Sequence, residues 1–320
     1  MELGLRAAGR TPFRPDPSMI VRVDPGPLIE PHPLLGYRNA PGRHHVTYRC
    51  GYSYTTTVTA KGTRATRPRE READYAGRPR IVVLGCSFTY GWSLADQDTY
   101  PWLLQQALPE FDVVNEGVAG YGTIHQLLRA KELLAARERP ALIVATYGTL
   151  HDERNVVSRR FRKAVVPFDN QIRTLDSVRA FVSESGSVRI ERIPLRYRPP
   201  PLIRRSALVE AMDECWNSLE LAWLAPHRTT LRLLECLANA CREAHVPLLL
   251  AGVWDDEATR RTLAVLAKLG VTTVDASVDL NDPRMNLLPV DWHPSAAANR
   301  VYAHRVLQAI RGLRGLAHAR

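Results

Sequence analysis

The sequence lacks any apolar run approaching the roughly 18 residues that a membrane span requires, so no span is expected. The first fifteen residues, MELGLRAAGRTPFRP, have scattered charge and no continuous apolar core. They do not read as a secretory signal, and the expected compartment is the cytoplasm. Cysteine is sparse. Cys50, Cys86, Cys215, Cys236 and Cys241 form an odd set without a Cys-x-x-Cys pair, which argues against a disulfide framework and against a zinc knuckle. His44 and His45 are an isolated pair, and no Cys/His spacing fits zinc, so neither a metal nor a cofactor is expected. Lysine is scarcer still. Only Lys61, Lys131, Lys163 and Lys268 occur, which leaves arginine as 39 of the 43 basic residues. A formal charge of +10 invites a nucleic-acid reading, but the arginines are spread over every segment and mixed with acids, which argues against a phosphate-binding footprint.

What is present is an average globular composition, 45% hydrophobic and 24% charged, long enough at 320 residues for one large α/β domain or two smaller ones. Residues 1–78 show no helical periodicity. Pro- and Gly-punctuated stretches rich in Tyr, Thr and Val predict short strands in a β-rich extension, and the Arg-rich run 64–80 reads as a linker. From residue 79 to 315 strands alternate with helices, the pattern of a doubly wound parallel sheet. Residues 157–228 fit neither period and are expected to form a lid-like insertion.

The stretch Ile81 to Gly91, IVVLGCSFTYG, runs four β-formers into a Gly-Cys-Ser turn. A serine there sits where open α/β sheets place their ligands, which makes Ser87 a candidate nucleophile; an ordinary strand-turn serine fits the same residues. A serine nucleophile needs a base and an orienting acid. The segment VDWHPSAAA supplies Asp291 and His293 just before a helix, although Asp291 capping that helix and His293 lying on the surface is the other reading.

Four blocks in order resemble those of the SGNH or GDSL hydrolases. GCSFTYG resembles their Gly-Asp-Ser block, NEGVAGYGT their glycine block, YGTLHDERN their Gly-x-Asn-Asp block, and DWHPSAAA their terminal Asp-His block. The resemblance implies a flavodoxin-like three-layer α/β/α fold and a catalytic set of Ser87, Asp291 and His293. It also implies an oxyanion hole from the Ser87 and Gly120 amides with a side-chain donor, His151 or Asn155, from the third block. Two positions depart from the family: Cys86 replaces its aspartate and His151 its asparagine. The expected activity is hydrolysis of an O-acyl ester of a small molecule or carbohydrate. An O-acyltransferase using the same acyl-enzyme, or a non-catalytic binding protein, are the alternatives.

Overall fold

The computed structural model describes residues 1–15, 19–137, 139–172, 174–183 and 185–313. Residues 314 and 315, the end of the expected α/β segment, lie outside them. The alternation read from residue 79 onward forms a five-stranded sheet. In the described chain the strands are β1 (Ile20–Asp24), β2 (Ile29–His32), β3 (Gly36–Asn39), β4 (Gly42–Tyr48), β5 (Ser53–Val58), β6 (Arg80–Gly85), β7 (Asp112–Gly117) and β8 (Leu142–Tyr147). They continue as β9 (Asp176–Val182), β10 (Val188–Pro194), β11 (Leu248–Gly252), β12 (Thr272–Asp275), β13 (Asn286–Leu287) and β14 (Asp291–Pro294). The central sheet has the order β7-β6-β8-β11-β12 and is parallel throughout. This is the flavodoxin-like doubly wound order, whose winding reverses between β6 and β8; ligands bind outside the carboxyl ends of the strands at such a point.

The central strands are apolar on both faces because helices cover both. The helices are α1 (Glu2–Ala7), α2 (Ser87–Tyr90), α3 (Tyr100–Ala107), α4 (Thr123–Ala135), α5 (Leu150–Asn155) and α6 (Arg159–Ala164). They continue as α7 (Asp169–Ile172), α8 (Ala207–Leu224), α9 (Pro226–Glu243), α10 (Glu257–Lys268) and α11 (Ala296–Gly312). Ile81, Val83, Val144, Leu249 and Ala251 face α3 and α11, while Val82, Leu84, Ile143, Ala145 and Leu250 face α4, α9 and α10. Complete burial of such side chains contributes about 1.5–3 kcal/mol each.

The extension pairs as antiparallel β1-β4-β5 and as the hairpin β2-β3. Its buried residues, among them Tyr37, Val46 and Tyr48, share one apolar cluster with Tyr90 and Trp92 after β6 and with Phe161 and Leu175 of the insertion. Two expectations are corrected here. A helix, α1, does form near the start: Glu2 of α1 accepts hydrogen bonds from Ser206 Oγ and from the Ala207 and Leu208 amides at the start of α8. Those contacts lie more than 200 residues away, beyond any local signal. Arg64, read as the start of a linker, is completely buried and bridges the extension to β7, its amide donating to the Asn115 carbonyl at 3.0 Å.

Candidate active site

Ser87 leaves the end of β6 as the first residue of α2. The turn is tight enough that a Cβ on Gly85 would meet Thr89 Oγ1 at 2.0 Å and Thr146 Oγ1 at 2.4 Å, so only glycine fits. As the first residue of α2, Ser87 has an amide with no intrahelical acceptor, and its hydroxyl is not spent on a helix cap. Cys86, one residue earlier, packs into the apolar cluster beneath α3 and α11, as the alternation of side chains along a strand requires.

His293 stands opposite, with Nε2 3.0 Å from Ser87 Oγ. It lies on β14, which pairs with β13, so the loop read from the sequence is a short hairpin that holds the imidazole in place. Asp291 is two residues before it on the same strand. Asp291 Oδ1 accepts the His293 backbone N–H at 2.8 Å and lies 3.2 Å from His293 Nδ1, too far off-line for a well-formed hydrogen bond in this geometry. Asp291 does not cap the following helix: Ser295 does, accepting from the Ala298 amide.

The second oxygen of Asp291 shows what the sequence concealed. Oδ2 accepts Ser93 Oγ at 2.7 Å and Tyr48 Oη at 3.1 Å, and those two hydroxyls lie 2.6 Å apart. Ser93 reaches this place with a φ of 64°, a left-handed conformation that serine rarely adopts and that packing must impose. The clamp is Arg64, whose guanidinium donates to the carbonyls of Tyr90 at 2.7 Å and of Gly91 and Leu94 at 2.5 Å, pairs with Asp96 at 3.1 Å and lies over the Tyr90 ring. Burial alone pushes the Asp291 carboxyl up, but His293, Ser93 and the backbone N–H outweigh it and hold the carboxyl below its ordinary range. Burial, followed by the Asp291 charge, pushes the Tyr48 phenol far up and keeps it a donor.

An aromatic wall surrounds the imidazole. Trp292 stacks on His293 with centroids 5.0 Å apart, Phe88 and Trp92 lie 5.9 and 6.2 Å away, and Trp254 meets Trp292 edge-on at 5.6 Å. Phe168 of the insertion packs edge-on against Trp92. Ser87 is only 3% exposed, so charge developing there is shielded from water.

The remaining sequence candidates separate. Gly120, in the turn leaving β7, has a φ of 80°, and a Cβ there would meet Tyr37 Oη at 2.6 Å. Asn155 is engaged between helices: its Oδ1 accepts the Ile124 amide at 2.9 Å and one N–H of its Nδ2 donates to Thr230 Oγ1 at 2.7 Å. That amide ties α5 to α4 and α9, a role set by helices distant in sequence. His151, in the first turn of α5 after β8, is buried with Gln126 Nε2 3.5 Å from its Nδ1 and no partner on Nε2 among the described residues. Burial, then Arg154 and His125, hold its pKa well below the ordinary value, so the ring is neutral. Asp152, the next residue, accepts from Tyr147 Oη at 3.2 Å and lies 3.0 Å from His227 Nδ1.

Sequence reasoning missed Tyr48, Ser93, Arg64 and Trp254. A buried tyrosine at the end of a strand carries no mark of its partner. Among the described residues no group of three His, Cys, Asp or Glu side chains is placed to hold a metal ion.

The site is a Ser-His-Asp array on a doubly wound parallel sheet. No family model matches the chain, and neither does any curated protein. Solved structures with a similar course include a member of the lipolytic protein G-D-S-L family from Veillonella parvula, 10% identical over 73% of this chain and 99% of that one, with a TM-score of 0.43. TesA is 18% identical over 72% of this chain and 98% of its own, with a TM-score of 0.42. AlinE4, an SGNH-hydrolase family esterase, is 15% identical over 74% and 96%, with a TM-score of 0.40.

Proposed function

We propose that the protein is a serine hydrolase that cleaves an O-acyl ester of a small molecule or carbohydrate through an acyl-enzyme on Ser87. The observation that carries this reading is the 3.0 Å approach of His293 Nε2 to Ser87 Oγ at the reversal point of the sheet. His293 removes the Ser87 proton as the hydroxyl attacks the carbonyl carbon, and returns it to the leaving alkoxide. Water then attacks the acyl-enzyme with His293 again as base, and the carboxylic acid leaves. Asp291 stabilises the transient imidazolium without taking the proton.

The oxyanion is met by the Ser87 and Gly120 amides, and His151 is the third donor. Gln126 facing Nδ1 favours the tautomer with its proton on Nε2, the atom without a partner. An acyltransferase would replace water with an acceptor alcohol in the second step. The nearly closed surroundings of Ser87 are the feature that supports this second reading.

The test is a burst assay with a chromogenic short-chain ester, followed by mass spectrometry of the trapped adduct. Ser87→Ala is expected to abolish the burst and lower turnover by roughly 10⁴-fold or more while leaving the melting temperature unchanged. An intact burst in that variant overturns the reading. His151→Ala is expected to cost roughly 10²–10³ in kcat, with partial recovery in His151→Asn.

A further inference from the structure

Helix α8 is turned inside out. Glu210, Asp213, Glu214 and Glu220 face the protein, where Lys163 meets the first three at 2.9, 3.0 and 2.5 Å and Arg159 pairs with Asp213 at 2.8 Å. Arg162 lies 3.9 Å from Glu220. The three bases that would ordinarily face water, and the four acids that would ordinarily join them, are therefore used between α6 and α8.

The opposite face carries the large apolar side chains. Met212, Trp216, Leu219 and Trp223 recur at intervals of four, three and four residues, which sets them in one stripe. They are 63, 61, 63 and 80% exposed. Leu202, just before the helix, is 64% exposed and extends the same apolar stretch of chain. Single exposed apolar residues are ordinary, but a continuous ridge with two tryptophans marks an interaction surface.

Charge selects the partner. Arg196, Arg198, Arg204 and Arg205 are exposed before the amino end of α8, and Arg228 is exposed just past its carboxyl end. Among the described residues none of these five side chains has an acidic partner. The acids of α8 are already neutralised, so the charge left free at both ends of the ridge is positive. A second copy of the chain would set arginine against arginine in either a parallel or an antiparallel pairing of α8, because both ends carry them.

We infer that α8 docks the protein on an anionic lipid surface, with Met212, Trp216, Leu219 and Trp223 entering the headgroup boundary and the flanking arginines meeting lipid phosphates. Tryptophan is favoured at that depth because its ring is apolar and its N–H stays near polar headgroups. The docking is peripheral: among the described residues no helix is long and apolar enough to cross a membrane. It does not depend on the hydrolase reading, because no atom of the ridge belongs to the Ser87 site.

The experiment is co-sedimentation of the full chain with phosphatidylcholine vesicles, with and without phosphatidylglycerol, at low and high salt. Binding is expected only with the anionic lipid and weaker at high salt. Trp216→Ala/Trp223→Ala is expected to bind about tenfold or more weakly, and Arg204→Glu/Arg205→Glu about as weakly. Both double variants should keep the parent melting temperature and the parent rate on a water-soluble ester. Failure of the parent to sediment with anionic vesicles overturns the inference, as does sedimentation that both double variants retain. A dimer seen by light scattering and lost in the tryptophan variant, without lipid binding by the parent, would assign the ridge to a second copy instead.

Discussion

The extension before β6 and the insertion between α5 and α9 each seat a tyrosine hydroxyl on a buried aspartate, yet the two pairs do different things. In the extension Tyr48 reaches Asp291, whose other oxygen faces His293; in the insertion Tyr197 reaches Asp213 at 3.0 Å, whose other partners are Arg159 and Lys163. The arginines divide the same way. Arg64 spends its donors on the backbone that carries Ser93, whereas Arg160 pairs with Glu153 at the surface. The tyrosine and arginine of the first segment are wired into the reacting centre and those of the second are not, so the same residue types should answer differently to the same substitution.

The largest expected contrast is in stability. Arg64→Met leaves three carbonyls and the Asp96 carboxylate without their donor in a dry place, and should cost about 3–5 kcal/mol. Arg160→Met breaks an exposed pair and should cost less than about 1 kcal/mol. Urea denaturation of both variants measures the difference, and equal losses would erase the distinction between the segments.

The next contrast is in catalysis. Tyr48→Phe removes one of two hydroxyl donors to Asp291 Oδ2, so the carboxylate that orients His293 loses part of its anchorage. We expect kcat on a soluble ester to fall about tenfold with KM unchanged. Tyr197→Phe should leave the rate as it is. A Tyr48→Phe variant with the parent kcat would show that Ser93 alone seats the carboxylate.

The smallest effect sits where the two segments meet. His125 stacks on Tyr121 at 4.1 Å, lies beside Tyr37 of the extension and reaches Ser177 of the insertion at 3.2 Å. Burial holds its pKa down to about 3. An unfolded histidine takes up a proton near pH 6.5 and the folded one does not, so the unfolded state binds more protons between those values and stability falls as pH falls. Between pH 7 and 5.5 the loss from this group should be about 1 kcal/mol. His125→Gln should flatten that slope in urea titrations at the two pH values.

Much of the α/β core was legible because its signals are local. β6, β8 and β11 are short apolar runs next to helices of clear period, and the start of α11 carries its own cap in Ser295. Ser87 and Gly120 stand at turns whose geometry needs their neighbours, as Gly85 shows for the first of them. The tie that Asn155 makes from α5 to α4 and α9 was not legible, because an amide four residues past a motif position looks the same whatever it bonds. Arg64 misled because its run of neighbours is polar, and burial of one arginine among several leaves no periodic trace.

What the sequence determined by itself is the sheet, its helices and the turns that present a serine and a histidine, because hydrophobic period and turn chemistry act over a few residues. Only the tertiary structure decided that Tyr48 and Ser93 share Asp291 Oδ2, and that α8 turns its acids inward and its tryptophans outward. Both depend on which surfaces meet across long stretches of chain, 243 residues in the case of Tyr48 and Asp291. The free energy of burying a polar group depends on the partner it finds there, and that partner is not written near it in the sequence.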